Sequence, residues 1–417
     1  MALSDASIVV IGAGAAGIAA ARRLRDAGTD VVLIEARGRA GGRAFTETVA
    51  GFPIDLGCGW LHSAETNPWV AIAQAQGRTI DRTPAPWLRP SMIAGFPLAE
   101  QEAFRNALEA FHDRVDLAPG EADRPLSAFV EPGGRWNALI DAISTYVSGA
   151  ELDKVSARDL IAYHDSGVNW RIVEGYGALI AAHADGVRTA FGCVATRIDH
   201  GGRRLRIETS QGTIAADAAI VTVPTSLLAA EAIAFSPALP DKIEAAAALP
   251  LGVDDKLFLS LDGAEEFEKD SRLFGATDSA ATGIYHFRPF GRPMIECYYG
   301  GSHAAALETG GEAAFFDFAR SELTSRLGSA FARRIAPIRV HPWRADPFAR
   351  GAYSYAAPGK ADCRATLAAP VDGRLFFAGE ACSTHDFSTA HGAYLTGLDA
   401  AGQAMKALAA RARRRTD

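Results

Sequence analysis

The chain has 417 residues, of which 48% are hydrophobic and 22% are charged, so it is long enough for two folded domains and is not a disordered chain. Its formal net charge of -7 disfavours nucleic acid as the main partner. The five cysteines form no CxxC pair and have no zinc-type spacing with histidine, which disfavours a metal site. No apolar run reaches the roughly 18 residues of a membrane span. We therefore expect a protein of the cytoplasm with no membrane partner.

The N-terminus predicts a strand, a glycine turn and a helix. Ser7 to Ile11 is a β-branched apolar run, typical of a buried strand in a parallel sheet. Gly12, Gly14 and Gly17 follow at once and lead into a predicted helix. In such a turn the first glycine allows the tight bend, the second lets a pyrophosphate approach the backbone, and the third lets the helix pack on the sheet. The helix N-terminus then offers free N–H groups to the phosphates.

A second predicted strand, Asp30 to Ile34, ends at Glu35. An acid at this place accepts hydrogen bonds from a ribose with a free 2′-OH, which disfavours NADP. The strand, turn, helix, strand and acid together predict a dinucleotide-binding unit.

The segment Arg37 to Arg43 favours FAD over NAD. It closes with Gly41, Gly42 and Arg43, which bring backbone and a positive charge close to a second phosphate. Near the other end, Gly373 to Gly379 reads as a strand that precedes Glu380, and a small-residue helix is predicted from Thr389 to Gly402.

These motifs resemble the flavin-containing amine oxidase family, the superfamily of monoamine and polyamine oxidases. The resemblance runs from about residue 7 to 407, is strongest at both ends and is weak through about 85 to 160. It implies FAD as the cofactor. The motifs and the resemblance together assign these cofactor-binding residues: Gly12, Gly14, Ala16, Gly17, Glu35, Ala36, Arg37, Gly41, Gly42, Arg43, Gly57, Cys58, Gly59, Trp60, Val194 or Ala195, Gly379, Glu380, Thr389 and Ala390.

The resemblance also implies the catalytic residues. Lys256 lies where the family places a lysine that holds a water against the flavin, and we expect burial to lower its pKa. Trp343 and Tyr353 keep the family's ten-residue separation, with Tyr353 as one wall of an aromatic cage for the amine. His62 lies where animal polyamine oxidases have a histidine that faces the substrate. Thr389 falls at the second cage position.

Two departures from the family refine the expectation. Ala352 replaces the cysteine that binds FAD covalently in mitochondrial monoamine oxidases, so FAD should be bound non-covalently. Thr389 replaces a cage tyrosine, which favours a secondary or extended amine. Candidates for gripping a distal ammonium are Glu65, Asp165 and Glu174.

The expected fold class is α/β: a Rossmann-type FAD-binding domain with a mixed-sheet α+β substrate domain. We assign 1–80, 170–250 and 360–417 to the FAD domain, and 81–169 and 251–359 to the substrate domain. Predicted strands at Lys256 to Leu261 and Met294 to Tyr299 belong to an antiparallel sheet above the flavin. Predicted helical regions are Pro97 to Arg114 and Pro132 to Ala150.

The function expected is oxidation of an amine C–N bond to an imine that hydrolyses, with O2 or another acceptor taking the electrons, and H2O2 as the product with O2. One alternative is an L-amino acid oxidase, in which Arg171 or Arg288 would bind the carboxylate. Others are a flavin desaturase and a flavin-binding protein without turnover. A homodimer is an option that the sequence leaves open.

Overall fold

The computed structural model describes residues 5–116 and 122–416 of the chain. Its strands are β1 (Asp5–Ile11), β2 (Val31–Ile34), β3 (Thr46–Val49), β4 (Phe52–Asp55), β5 (Ile80–Asp81), β6 (Arg171–Ile172), β7 (Thr189–Ala190), β8 (Ala195–Asp199), β9 (Leu205–Thr209), β10 (Gly212–Val221), β11 (Ala234–Ser236), β12 (Asp254–Leu261), β13 (Ser271–Phe274), β14 (Ile284–Phe287), β15 (Met294–Gly300), β16 (Ile335–Val340) and β17 (Leu375–Phe377). Its α-helices are α1 (Ala15–Asp26), α2 (Pro68–Ala75), α3 (Leu98–Asp116), α4 (Asn137–Val147), α5 (Ala157–Ala162), α6 (Tyr176–Ala182), α7 (Thr225–Ala229), α8 (Pro240–Ala248), α9 (Gly301–Leu327), α10 (Cys363–Ala368) and α11 (Ala390–Thr416).

The larger sheet has eight strands and a parallel centre. β1 pairs in parallel with β2 and β10, β2 with β7, and β10 with β17. The carboxyl ends of parallel strands lie at one edge of a sheet, which is where such folds bind ligands. Here that edge collects Gly12 after β1, Glu35 after β2, Thr222 after β10, and Gly379 just beyond β17.

Helices cover both faces of this sheet, which explains why its central strands are apolar throughout. On one face α1 packs against α11, and the buried core there includes Ile18, Leu24 and Ala404. On the other face α8 and α10 bury residues such as Leu249 and Leu367. β8 and β9 continue the sheet beyond β10 in antiparallel pairing.

The smaller sheet is antiparallel, with the strand order β13, β14, β15, β12, β16. One of its faces packs on α9 and contains Leu257 and Leu259 of β12. Because side chains alternate along a strand, Asp254 and Lys256 lie on the opposite face. That face turns toward the carboxyl edge of the larger sheet, and both residues line the cavity described below.

The predicted fold class is confirmed by this pair of sheets. Strands of the larger sheet all fall within 1–80, 170–250 and 360–417, and those of the smaller sheet within 251–359; the domain limits themselves stay a prediction. The predicted limits of two helices were wrong: the last helix continues well beyond Gly402, and the helix predicted within Pro132 to Ala150 is confined to Asn137–Val147.

Within residues 5–116 and 122–416, no helix is both long enough and apolar enough to cross a membrane. The same part of the chain brings together no group of three or more His, Cys, Asp or Glu side chains that could hold a metal ion.

The first glycine turn yields a testable pair of substitutions. A methyl group on Gly17 would overlap the carbonyl oxygen of Gly12, whereas a methyl group on Gly14 meets nothing within 4 Å. We expect Gly17→Ala to lower the free energy of unfolding by about 1–3 kcal/mol because the helix must move off the strand. Gly14→Ala should leave stability unchanged and weaken FAD retention. Chemical denaturation and the flavin content of purified protein measure the two effects; equal stability of both variants would contradict the packing role of Gly17.

Candidate active site

One cavity of about 1210 Å³ extends from the carboxyl edge of the larger sheet to the inner face of the smaller sheet. All five predicted catalytic residues line it. So do the predicted cofactor residues with one exception: Gly17 lies behind the wall, where its lack of a side chain lets α1 approach Gly12. The two groups of residues, which are far apart in sequence, therefore share one site.

The glycine motifs touch each other at the dinucleotide end of the cavity. The Gly41 N–H donates to the Ala13 carbonyl at 2.8 Å, and Gly41 bridges to Gly14. A methyl group on Gly42 would come within 3.2 Å of the Gly14 Cα. Two backbone turns without side chains thus face the cavity beside the N-terminus of α1, which is a surface suited to a pyrophosphate. The residues present fit a dinucleotide.

Glu35 is held in a fixed orientation at the same edge. Its two carboxylate oxygens accept hydrogen bonds from the Ala13 N–H at 2.7 Å and the Arg37 N–H at 2.8 Å. The guanidinium of Arg37 in turn pairs with Asp346 at 2.6 Å. A buried carboxylate fixed in this way by backbone donors remains able to accept from a ribose hydroxyl, since each oxygen has further lone pairs.

Arg43 and Glu380 connect the two ends of the chain. They form a salt bridge of 2.8 Å, and Arg43 also donates to the carbonyl of Ala352 at 2.6 Å. Glu380 accepts from the Ser354 hydroxyl at 2.6 Å. Burial raises the pKa of the Glu380 carboxyl, but Arg43 and Ser354 outweigh it and hold the pKa below its usual value. Ala352 lines the cavity without a nucleophile, in agreement with non-covalent FAD.

Lys256 forms a buried ion pair that the sequence did not predict. Its Nζ lies 3.0 Å from Glu296 Oε1 and donates to the Asp55 carbonyl at 3.1 Å. Burial alone lowers the pKa of the ammonium, but the negative charge of Glu296, assisted by Tyr298 and Asp55, raises it above the usual value. The expected lowering of this pKa was wrong because burial was considered without the partner.

Asp254 is the second unexpected group, two residues before Lys256 on the same face of β12. It lines the cavity, and its Oδ1 is buried with no hydrogen-bond donor among the described residues. Burial raises the pKa of this carboxyl to about 8, although the charge of Lys256 acts in the opposite direction. The Tyr353 hydroxyl donates its proton to the Tyr146 carbonyl at 2.6 Å, so it is not a donor for Asp254.

His62 is neutral and its tautomer is defined. Asn169 donates from its amide nitrogen to the Gly167 carbonyl, which leaves its Oδ1 to face His62 Nδ1 at 2.6 Å. Nδ1 must therefore carry the proton, and Nε2 is left as an acceptor. Burial lowers the pKa of the imidazole, so this form persists at neutral pH.

The remaining predicted catalytic residues have structural partners. The Trp343 indole N–H donates to the Leu56 carbonyl at 2.9 Å and so fixes the loop that contains Gly57. The Thr389 hydroxyl caps α11: it accepts from the Gly392 N–H at 2.9 Å and donates to the Asp386 carbonyl at 2.6 Å. Thr389 thus presents mainly its methyl group and the start of the helix to the cavity.

The flavin-containing amine oxidoreductase family matches the chain over residues 15–79 and 94–405. The chain belongs to this family. Its cofactor is FAD, and it is an oxidoreductase that acts on amines.

Relatives and solved structures agree with this assignment. Polyamine oxidase 3 of Oryza sativa is 32% identical, with 95% of this chain and 88% of the relative covered. Polyamine oxidase 2 of Arabidopsis thaliana is 30% identical over 95% of this chain and 87% of its own length. Wild-type putrescine oxidase bound to putrescine has the same fold, with a TM-score of 0.76, 18% identity and coverage of 96% of this chain and 99% of that one.

The arginines proposed for an L-amino acid oxidase were wrong. Arg171 is buried between Asp81 at 2.7 Å and Asp270 at 2.9 Å, and Arg288 donates to the Phe267 carbonyl. Neither lines the cavity. The family assignment also supports amine oxidation and not this alternative.

Of the three acids considered for a distal ammonium, Asp165 lines the cavity, whereas Glu65 and Glu174 do not. Glu174 is instead bound to Thr79.

Two missed residues had a signal in the sequence. Glu296 is an acid inside the apolar run MIECYY, and an acid there requires a partner. Asp254 is two residues from Lys256 on a predicted strand, which places both side chains on one face.

The Lys256–Glu296 pair predicts a non-additive effect on stability. Glu296→Gln leaves a buried ammonium without its main counter-charge, and we expect a loss of about 3–5 kcal/mol in the free energy of unfolding. The double variant Lys256→Met with Glu296→Gln should recover part of this loss because no lone charge remains. Urea denaturation at pH 7 measures all variants.

The pH dependence of this pair follows from the signs of the shifts. The lowered pKa of Glu296 contributes stability that is lost only in acid, and the raised pKa of Lys256 contributes stability that is lost only in strong base. In the variant, burial without the counter-charge lowers the pKa of Lys256, so the ammonium can lose its proton in the folded state as pH rises. The difference between wild type and Glu296→Gln should therefore shrink from about pH 6 to about pH 10, and a difference that stays constant over this range would contradict this account of the pair.

Proposed function

We propose that the chain oxidises an elongated primary or secondary amine at the carbon next to nitrogen, with O2 as the acceptor and H2O2 as a product. The observation that carries the proposal is the meeting of the two glycine turns with Asp254, Lys256 and Tyr353 in one cavity. The cytoplasmic location and a homodimer stay predictions from the sequence.

FAD would be held by the glycine turns, Glu35 and Arg43, with its reactive end toward β12. Once bound, it supplies the redox chemistry by accepting two electrons from the C–N unit and passing them to O2. The charged Lys256 would stabilise negative charge that forms beside it in the cavity. The start of α11 at Ala390, whose dipole is positive at that end, would act in the same sense.

Asp254 would receive the proton of the amine. An ammonium substrate favours the ionised carboxylate through ion pairing. The proton then passes from nitrogen to Asp254 oxygen, which gives a neutral amine and a neutral carboxylic acid. Without substrate the pKa of Asp254 is about 8, and that of a free alkylammonium is about 10. Ion pairing lowers the first and raises the second, so the transfer is uphill by at least about two pKa units.

Tyr353 and His62 would orient the amine. The Tyr353 ring is fixed by its bond to the Tyr146 carbonyl and offers its face to a cation. The free Nε2 of His62 is suited to accept an N–H of the substrate. A neutral histidine does not repel an incoming ammonium, so its lowered pKa fits this role.

The relatives suggest which amines to test first. Proteins named polyamine oxidase cover nearly all of this chain, and the cavity is large enough for a long substrate beside a cofactor. Aliphatic monoamines, diamines and polyamines are therefore the starting panel.

The direct test is anaerobic mixing of the purified flavoprotein with this panel. We expect at least one elongated amine to bleach the visible flavin spectrum, and air to restore it with release of H2O2. A flavin that chemical reductants bleach but no amine of the panel does would overturn the proposal. If another electron acceptor reoxidises the flavin but O2 does not, the proposal that O2 is the acceptor would be overturned.

Asp254 predicts a specific change in the pH profile. In wild type, kcat/KM should rise with pH through about 8, because Asp254 must be ionised to bind the ammonium. In Asp254→Asn the ascent should move to the pKa of the amine itself, and kcat/KM at pH 8 should fall by about a hundredfold. Asp278→Asn, an exposed aspartate outside the cavity, is the matched control. An unchanged profile in Asp254→Asn would exclude it as the proton acceptor.

A further inference from the structure

The part of the cavity farthest from Lys256 along the smaller sheet is basic. Arg272 of β13 and Arg105 of α3 line this end, together with Ser91 and the partly engaged Arg89. No hydrogen bond or ion pair of the Arg105 or Arg272 side chains is found within the described residues. This end therefore differs from the reacting end, where Asp254 is the unpaired group.

Arg272 is a half-buried cation with no counter-charge among the described residues. Its Nε is buried and has no acceptor among residues 5–116 and 122–416, and its guanidinium lies over the Phe274 ring at 4.7 Å. Burial lowers the pKa of this guanidinium to about 10. By contrast, the buried Arg364 forms two bonds of 2.7 Å to Asp159. Since buried charges are normally paired, Arg272 indicates an anionic ligand.

A second donor with no partner among the described residues lines the same end of the cavity as Arg272. The hydroxyl of Ser91 is buried and has no partner among the described residues. Its backbone is fixed by Gln101, which accepts from the Ser91 N–H at 2.9 Å and donates to the Ser91 carbonyl at 3.0 Å. The next residue, Met92, donates its N–H to the Arg272 carbonyl at 2.7 Å. A guanidinium and a hydroxyl from neighbouring backbone segments thus both line this end of the cavity.

We propose that this end binds a carboxylate of the substrate, so that the amine oxidised by this enzyme has an anionic group at its other end. The inference rests on the proposed function and specifies its substrate class. A guanidinium fork with an adjacent hydroxyl is suited to the planar, oxygen-rich carboxylate group. Arg105, exposed at the same end, adds positive charge that attracts such a group.

The sheet register sets the distance between the two ends. Phe274 pairs with Ile284, Ile284 with Tyr298, and Tyr298 with Lys256. Arg272, over Phe274, is therefore three strands away from Lys256, on the order of 14 Å along the sheet. An α-amino acid cannot span this separation because its carboxylate is attached to the carbon that bears the amine.

The wall between the ends is mostly apolar, with Phe274, Ile284, Leu108 and Ile143 among its residues. Its polar members include Tyr298 and His286, and His286 Nε2 is bound to Asp270 at 3.0 Å. It is suited to a hydrocarbon spacer and not to the repeated ammonium groups of a polyamine. We therefore expect ω-amino acids with a long spacer, or their N-alkyl derivatives.

The test compares three substrates of equal chain length: an ω-amino acid, the n-alkylamine and the diamine. For wild type we expect kcat/KM to be highest for the ω-amino acid, by about tenfold to a hundredfold over the alkylamine. In Arg272→Met this preference should disappear, mainly through a higher KM for the ω-amino acid. Ser91→Ala should show a smaller effect in the same direction. Arg320→Met, on the exposed side of α9, is the matched control.

Arg272→Met removes a half-buried charge that has no partner among the described residues, so the variant should fold and be at least as stable as wild type. Oxidation of all three substrates with no change of preference in Arg272→Met would overturn the inference and leave the proposed function intact. A wild-type preference for the diamine would also overturn it. If no amine reduces the flavin, the proposed function fails. Calorimetric binding of an alkyl carboxylate to wild type but not to Arg272→Met would still support the anionic site. If wild type does not bind the alkyl carboxylate, the anionic site is overturned as well.

Discussion

The register of β12 is the constraint on which the site depends. Side chains alternate along a strand, so a slip of one residue would exchange the two faces. Pairing with β15 on one side and β16 on the other fixes this register. Asp255, which points away from the cavity, accepts the backbone N–H of Trp343 at 3.0 Å and ties the strand to the aromatic segment. As a consequence, the side chains of Asp254 and Lys256 both face the cavity. The loss of any of these contacts would change the position of both side chains.

The charges around the cavity fall into two groups. Lys256 with Glu296, Arg43 with Glu380, and Arg364 with Asp159 are paired at distances of 2.7–3.0 Å. Such pairs hold loops in place, and their net contribution to stability is small because both partners lose hydration. Asp254 and Arg272 are the informative members of the second group, because each is desolvated without a direct partner. Groups of this kind weaken the fold, and ligand-binding sites are where proteins commonly keep them.

The sequence was sufficient to predict those parts of the site that are defined by residues close together in the chain. The turn from Gly12 to Gly17, the acid Glu35 and the pair Gly41–Gly42 are defined by short-range patterns, and all lie at the predicted edge of the sheet. Lys256, Trp343 and Tyr353 were located through the resemblance, which supplies positions but not environments. The pKa of Lys256 was predicted in the wrong direction because its partner Glu296 is brought close only by strand pairing. Arg171 and Arg288 were chosen by residue type, and the fold uses both of them elsewhere.

Arg272 and Ser91 could not be found from the sequence, for a physical reason. Ser91 lies in the stretch where the resemblance to the family is weak, and Arg272 is one of many arginines in the chain. Their significance arises from the absence of an acceptor, which is a property of the folded surroundings. Gln101 fixes the backbone of Ser91, and the Arg272 guanidinium lies over the Phe274 ring, so an arriving carboxylate would have less to order. A recognition group that is fixed before binding, and located three strands from the reacting end, selects the length and the charge of a substrate together.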